Sequence, residues 1–206
     1  MKIELVNAGK RFNREWIFRK ADLSFESGQA YAITGINGSG KSTLLQCMAG
    51  FLELSEGKIH LKQEEQIIPA ENHHQHVSFS APYFELIEEM TLVEFLGFHQ
   101  KFKPFLPSVS INTIVSIIGL EANRNKQIRY YSSGMKQRVK LAQAIFSNTP
   151  IVLLDEPCTN LDSTGIALYH QLVHDHCRHR LLVVCSNDPV EYNFAGAVVS
   201  IQHYKA

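Results

Sequence analysis

Eight residues constrain this chain more than any other stretch: GINGSGKS, Gly35 to Ser42, behind the apolar run QAYAIT (29–34) and ahead of KSTLLQCMAG (41–50). The pattern G-x-x-x-x-G-K-[ST] between a strand and a helix start defines a loop that curls around phosphate. Glycines let its N–H groups converge on an anion, and the following helix adds the positive end of its dipole. A glycine turn with a chance lysine is only a turn, but the complete octet and its flanks favour a nucleotide. Gly35, Asn37, Gly38, Ser39, Gly40, Lys41, Ser42 and Thr43 are therefore the expected nucleotide-binding residues. Lys41 supplies a mobile charge for the β- and γ-phosphates, and Ser42 a hydroxyl ligand for Mg2+.

Around this loop the chain alternates strand and helix. KIELVN (2–7), 16–26, 29–34, 56–62 and HVSFS (76–80) read as strands, with a loop at QEEQIIPAENHHQ. Residues 91–101 and 108–119 have apolar positions at helical spacing, each opened by a Thr or Ser able to cap. In GMKQRVKLAQAIF, Met135, Val139, Ala142 and Phe146 mark one buried helical face. IVLLD (151–155) and RLLVVCS (180–186) are strands covered on both sides, separated by a helix over about 163–177. The expected fold is α/β: a P-loop NTPase core with a mostly parallel sheet, an antiparallel β edge and an inserted helical subdomain. The expected boundaries are 1–81 for the first part of the core, 82–147 for the helical subdomain and 148–206 for the rest of the core.

The composition excludes several classes. With 206 residues, 20 basic against 20 acidic and a net charge of zero, the chain has no general pull toward nucleic acid or anionic lipid. Its longest apolar runs are too short to span a bilayer and no signal peptide opens it, so no direct membrane insertion and a cytoplasmic location are expected. The four cysteines form no CxxC pair, so no disulfide framework or zinc ribbon is expected. His73, His74 and His76, and His174, His176 and His179, read as solvated rather than as a metal site.

Two further motifs carry chemistry. IVLLDE ends an apolar strand in Asp155, placed to hold magnesium, and Glu156, placed to polarise an attacking water. YSSGMKQR (131–138) opens a helix with Ser132 and Gly134, a second anion site on the same chain. GINGSGKST, YSSGMKQRV, IVLLDEP and the CTNLD turn stand in the order and spacing of the ATP-binding-cassette (ABC) ATPases, and from about Phe12 to Asp188 the chain resembles that family.

The resemblance implies a head-to-tail homodimer in which each ATP lies between one phosphate loop and the partner's signature, here Ser132, Ser133 and Gly134. By position, Phe12 resembles the aromatic that stacks on adenine, with Trp16 as substitute and a core role as the alternative. Asp162 resembles the residue linking the two sites across the dimer, and as a turn aspartate it equally reads as a helix N-cap. Two catalytic positions depart from the family. Pro82 stands where a glutamine is usual and Asn187 where a histidine contacts the γ-phosphate. Tyr131, Ser133 and Met135 also replace the usual Leu, Gly and Gln. One lost transition-state contact costs about 10²–10³ in rate, so the expectation is tight Mg-ATP binding with slow hydrolysis that uses Glu156, Lys41 and Asn187.

The resemblance implies the ATP-hydrolysing subunit of a membrane transporter, docked through its helical insert on separate membrane-spanning chains and so peripheral at the inner face of the cell membrane. A nucleotide-gated binding module with little hydrolysis is the alternative. No nucleic-acid partner is expected, because Lys136, Arg138 and Lys140 read as the wet face of the signature helix.

Overall fold

The computed structural model describes residues 1–205, which cluster into two compact units. The first comprises Met1–Phe79, Thr149–Asp155 and the chain from Arg178 onward; the second comprises Ser80–Asn148 and Glu156–Cys177.

In the first unit β1 (Lys2–Phe12) and β2 (Glu15–Glu26) form a hairpin, followed by β3 (Ala30–Thr34), α1 (Lys41–Met48), β4 (Glu56–Gln63) and β5 (Gln66–Ile68). A one-turn α2 (His73–His76) and β6 (Val77–Ser80) come next, and the chain later returns for β7 (Ile151–Asp155), β8 (Leu181–Cys185) and β9 (Ala197–Ser200). The hairpin turns at Asn13, whose φ of 54° suits an asparagine. Strands β2-β1-β4-β5 make an antiparallel sheet of their own, in which Lys2 pairs with both Glu26 and Lys62. At Gly57 (φ 76°) the two backbones come so close that a Cβ would lie 2.1 Å from the Asn7 carbonyl oxygen, and the β1–β4 register shifts there.

The second sheet has the order β6-β7-β8-β3-β9. Its β7–β8, β8–β3 and β3–β9 pairs are parallel, and every residue of β7 and β8 is buried, as their unbroken apolar runs require. Ser78, Thr149 and Arg180 form a polar cluster within this unit. The Arg180 side chain, 8% exposed, donates from Nε to the Thr149 carbonyl at 2.6 Å and from Nη2 to Thr149 Oγ1 at 2.9 Å.

The second unit holds α3 (Leu92–Phe102), α4 (Ile111–Ile117), α5 (Ser133–Phe146) and α6 (Ser163–His176). A capping box starts α3: Glu94 N–H donates to Thr91 Oγ1, and Glu94 accepts from Thr91 N–H at 2.8 Å. That backbone bond holds the Glu94 carboxyl below its ordinary range.

Four details differ from the sequence reading. The stretch expected as a loop, 63–75, contains β5 and the start of α2. Helix α4 starts after Ser110, not at 108, because the Ser110 hydroxyl accepts from Thr113 N–H at 3.1 Å. On α5, Met135 is half-buried while Gln137 is fully buried, so the covered face is rotated from the apolar stripe. Residues 156–177, grouped above with the core, cluster in the second unit because α6 packs on α5.

Candidate functional site

The first unit carries the phosphate loop, Gly35–Gly40, between β3 and α1. Gly40 adopts φ 102°, and a Cβ there would lie 2.4 Å from Ile17 Cγ2, so the turn admits no side chain. Lys41 is buried, and its ammonium donates to the carbonyls of Gly35 at 2.8 Å and Ile36 at 3.3 Å, which holds the charge against the loop. The Ser39 hydroxyl is buried with no hydrogen-bond partner among the described residues. Ser42 and Thr43 stand half-buried in the first turn of α1.

The end of β8 reaches this loop and the helix behind it. Asp155, 2% exposed, ends β7 opposite Cys185 of β8, whose thiol lies 3.5 Å from the Lys41 carbonyl. Just beyond β8, Asn187 Nδ2 donates to Asn37 Oδ1 at 3.2 Å. Phe12, at the end of β1, is 47% exposed, with Lys10 Nζ 5.1 Å from its ring centroid. Trp16 is covered differently: the guanidinium carbons of Arg19 and Arg11 lie 4.4 and 5.5 Å from its ring. Of the two aromatics, Phe12 is the more exposed.

The second unit carries the residues expected to form the signature. Ser132 caps α5, accepting from Met135 N–H at 3.3 Å, with Ser133 and Gly134 in the first turn. Ser132, Ser133 and Gly134 share a polar cavity of about 400 Å³ with Arg138, Asn160 and Asp162. A Cβ at Gly134 would lie 3.0 Å from the Asn160 carbonyl oxygen. Asp162 caps α6, accepting from Gly165 N–H at 2.8 Å, and its carboxylate lies 3.6 Å from Arg138 Nη2. Glu156 follows Asp155 directly and holds φ 42°, a left-handed backbone that a glutamate adopts only at a cost of about 1–2 kcal/mol. Pro82 offers a carbonyl alone, which accepts from Lys140 Nζ at 2.6 Å.

The sequence reading missed Gln137 and assigned Arg138 to the wet face. Gln137 is 2% exposed and donates from Nε2 to the Pro157 carbonyl at 2.7 Å, whereas Arg138 sits half-buried beside Asp162. Gln137 lies two positions from both Met135 and Val139, nearly opposite that stripe on the helix, so the apolar periodicity carried no signal for it. The histidines have local partners: His73 Nε2 lies 3.1 Å from the Ile68 carbonyl oxygen and His174 Nδ1 2.7 Å from Asp175. Among the described residues no group of three or more His, Cys, Asp and Glu side chains could hold a metal ion.

Residues 18–159, more than half of the chain, match the family model described as ABC transporter. The chain belongs to this family. The ABC transporter ATP-binding protein YybJ of Bacillus subtilis is 32% identical over 192 residues, covering 90% of this chain and 85% of that protein. The cytochrome c biogenesis ATP-binding export protein CcmA of Brucella abortus is 29% identical over 189 residues, covering 90% and 85%. An ATP-binding ABC transporter protein of Pyrococcus furiosus superposes with a TM-score of 0.84 at 18% identity over the whole of both chains. A dimeric ATP-binding cassette in a post-hydrolysis state, bound to ADP and Pi, superposes at 0.81 and 23% identity, covering 96% of this chain and 93% of that one. These two likenesses establish the fold, the α/β cassette expected from sequence. The chain is thus an ABC-type ATPase. No helix among the described residues is long and apolar enough to cross a membrane.

Proposed function

We propose that this chain is the ATP-hydrolysing subunit of a membrane transporter, working as a head-to-tail homodimer docked on separate membrane-spanning partner chains at the inner face of the cell membrane. The observation that carries this reading is one chain with two anion cradles, the phosphate loop at Gly35–Gly40 and the Ser132–Gly134 turn opening α5. Each cradle supplies half of a nucleotide site, so two copies complete two sites. The names of YybJ and CcmA support the transporter assignment.

The donor set fits magnesium. The Ser42 hydroxyl and the buried Asp155 carboxylate are hard oxygen ligands, and the orphaned Ser39 hydroxyl of the loop suits an acceptor-rich ligand there. When bound, magnesium neutralises charge on the β- and γ-phosphates. Lys41 adds its ammonium to the same oxygens, Glu156 accepts a proton from the attacking water, and Phe12 stacks on the adenine. Asn187 hydrogen-bonds the γ-phosphate without carrying charge, and Pro82 offers no side-chain acceptor, so hydrolysis is slow. Asp162 of each copy faces the other copy's site.

Two measurements test this. ATP is expected to drive Glu156→Gln from monomer to dimer on size exclusion, with Lys41→Ala staying monomeric. Wild type is expected to release phosphate faster than Glu156→Gln, and equal rates overturn the role of Glu156.

A further inference from the structure

Glu156 holds a left-handed backbone, φ 42°, directly before a proline, and both facts work against it. A proline disfavours helical backbone in the residue before it, and a side chain adds its own clash at positive φ. Something must hold this segment. Thr159 N–H closes one turn onto the Glu156 carbonyl at 3.2 Å, and Leu161 N–H another onto that of Cys158 at 3.0 Å. Between them the Pro157 carbonyl accepts from Gln137 Nε2 at 2.7 Å.

Gln137 is suited to this task. It is fully buried on α5, so its amide is shielded from competing water. Burying a glutamine amide is costly unless it is hydrogen-bonded, and the short bond to Pro157 offsets that cost. The same face of α5 meets the chain beyond Pro157 twice more, at Gly134 against the Asn160 carbonyl and at Arg138 beside Asp162. Helix α5 is therefore a rigid rail along the segment that bears Glu156, and Gln137 is its contact nearest in sequence to that carboxylate.

We infer that Gln137 is a positioning residue for hydrolysis: through the Pro157 carbonyl it holds the strained backbone that aims the Glu156 carboxylate. This rests on Glu156 being the general base, as proposed above. Gln137 touches neither water nor nucleotide in this scheme, so its loss acts on the chemical step and leaves nucleotide binding intact.

The test is steady-state phosphate release with Mg-ATP on the full chain, comparing wild type, Gln137→Met, Gln137→Asn and Glu156→Gln. Methionine keeps shape and volume but offers no donor, whereas asparagine keeps the amide one methylene short. For Gln137→Met we expect kcat to fall about 10- to 100-fold with KM within about twofold. Gln137→Asn is expected to fall between it and wild type. In the Glu156→Gln background, Gln137→Met should lower the residual rate no further and should leave ATP-driven dimerisation unchanged, which a merely structural role would not do. Wild-type kcat in Gln137→Met, or a loss carried mainly by KM, overturns the inference. If Gln137→Met does not fold, Gln137→Asn decides: lowered kcat at unchanged KM supports the inference, and wild-type kcat overturns it. A wild type no faster than Glu156→Gln instead overturns the reading of Glu156 itself.

Discussion

Asn187 reaches back across 150 residues of chain to donate its amide to Asn37 Oδ1, 3.2 Å away inside the phosphate loop. The residue expected from sequence to stand where the family has a histidine is thus held at the loop by a neutral bond. If the position meets the γ-phosphate as proposed, an imidazolium there would bring a positive charge to it. Asn187→His is expected to raise the phosphate-release rate about tenfold or more. An unchanged or lower rate would show that the histidine's absence does not limit turnover.

Two glycines with positive φ separate local strain from a close contact. Gly28 (φ 84°) has open space where a Cβ would go, so Gly28→Ala pays only backbone strain, about 1 kcal/mol. Gly40→Ala adds an overlap with Ile17 inside the loop and is expected to weaken ATP binding at least about tenfold. Calorimetric titration of both variants measures the contrast.

Phe12 and Trp16 are distinguishable as adenine platforms. Stacking of a base on an aromatic contributes about 1–3 kcal/mol, so Phe12→Ala should raise KM for ATP about tenfold with little change in kcat. Trp16→Ala, which removes a ring already covered by Arg11 and Arg19, should leave KM near wild type. The reverse outcome in the kinetic assay would transfer the role to Trp16.

Arg180 bonds the Thr149 carbonyl and hydroxyl from a buried position. Arg180→Met leaves those oxygens without their donor, at a cost of about 3 kcal/mol. At about 2–4 °C per kcal/mol for a chain of this size, Tm should fall by about 6–12 °C. Differential scanning calorimetry checks it.

His99 gives stability a pH dependence. Its ring stacks on Phe105, and Nε2 lies 2.9 Å from Ser147 Oγ. Ser147 donates its own hydroxyl proton to the Gln143 carbonyl at 2.6 Å, so His99 Nε2 is the donor in its contact with Ser147. Burial pushes its pKa down from 6.5 to about 4. Between those values the unfolded chain binds a proton that the folded chain refuses, so stability falls as pH falls through 6.5 toward 4. From pH 7 to pH 5 the loss from this residue is about 1–2 kcal/mol. His99→Gln should show a correspondingly smaller drop in Tm over that range, and an equal drop would contradict the neutral ring.

Much of the site was legible because its chemistry is local. The phosphate loop, the IVLLD strand ending in Asp155 with Glu156 next to it, and the Ser132 cap each need residues adjacent in sequence, and each stands where that adjacency places it. The strands β7 and β8 were readable for the same reason: a strand buried on both faces is apolar at every position. The loop expected at 63–75 hid β5 because three residues carry too little pattern. Helix α4 starts two residues later than the stretch read from sequence because the Ser110 hydroxyl, accepting from Thr113 N–H, is the cap that the backbone path selects.

Local patterns in the chain alone were enough for its α/β class, its glycine-rich loop, the adjacent Asp155 and Glu156 and the Ser132 turn that opens α5, since backbone curvature and strand burial depend on neighbours in sequence. Long-range packing settled the rest. It paired β9 with β3, buried Gln137 against Pro157, brought Asn187 to Asn37 and laid two guanidiniums over Trp16. Those contacts join residues far apart along the chain, or depend on how helices and strands face one another, and no periodicity records which distant atoms will meet.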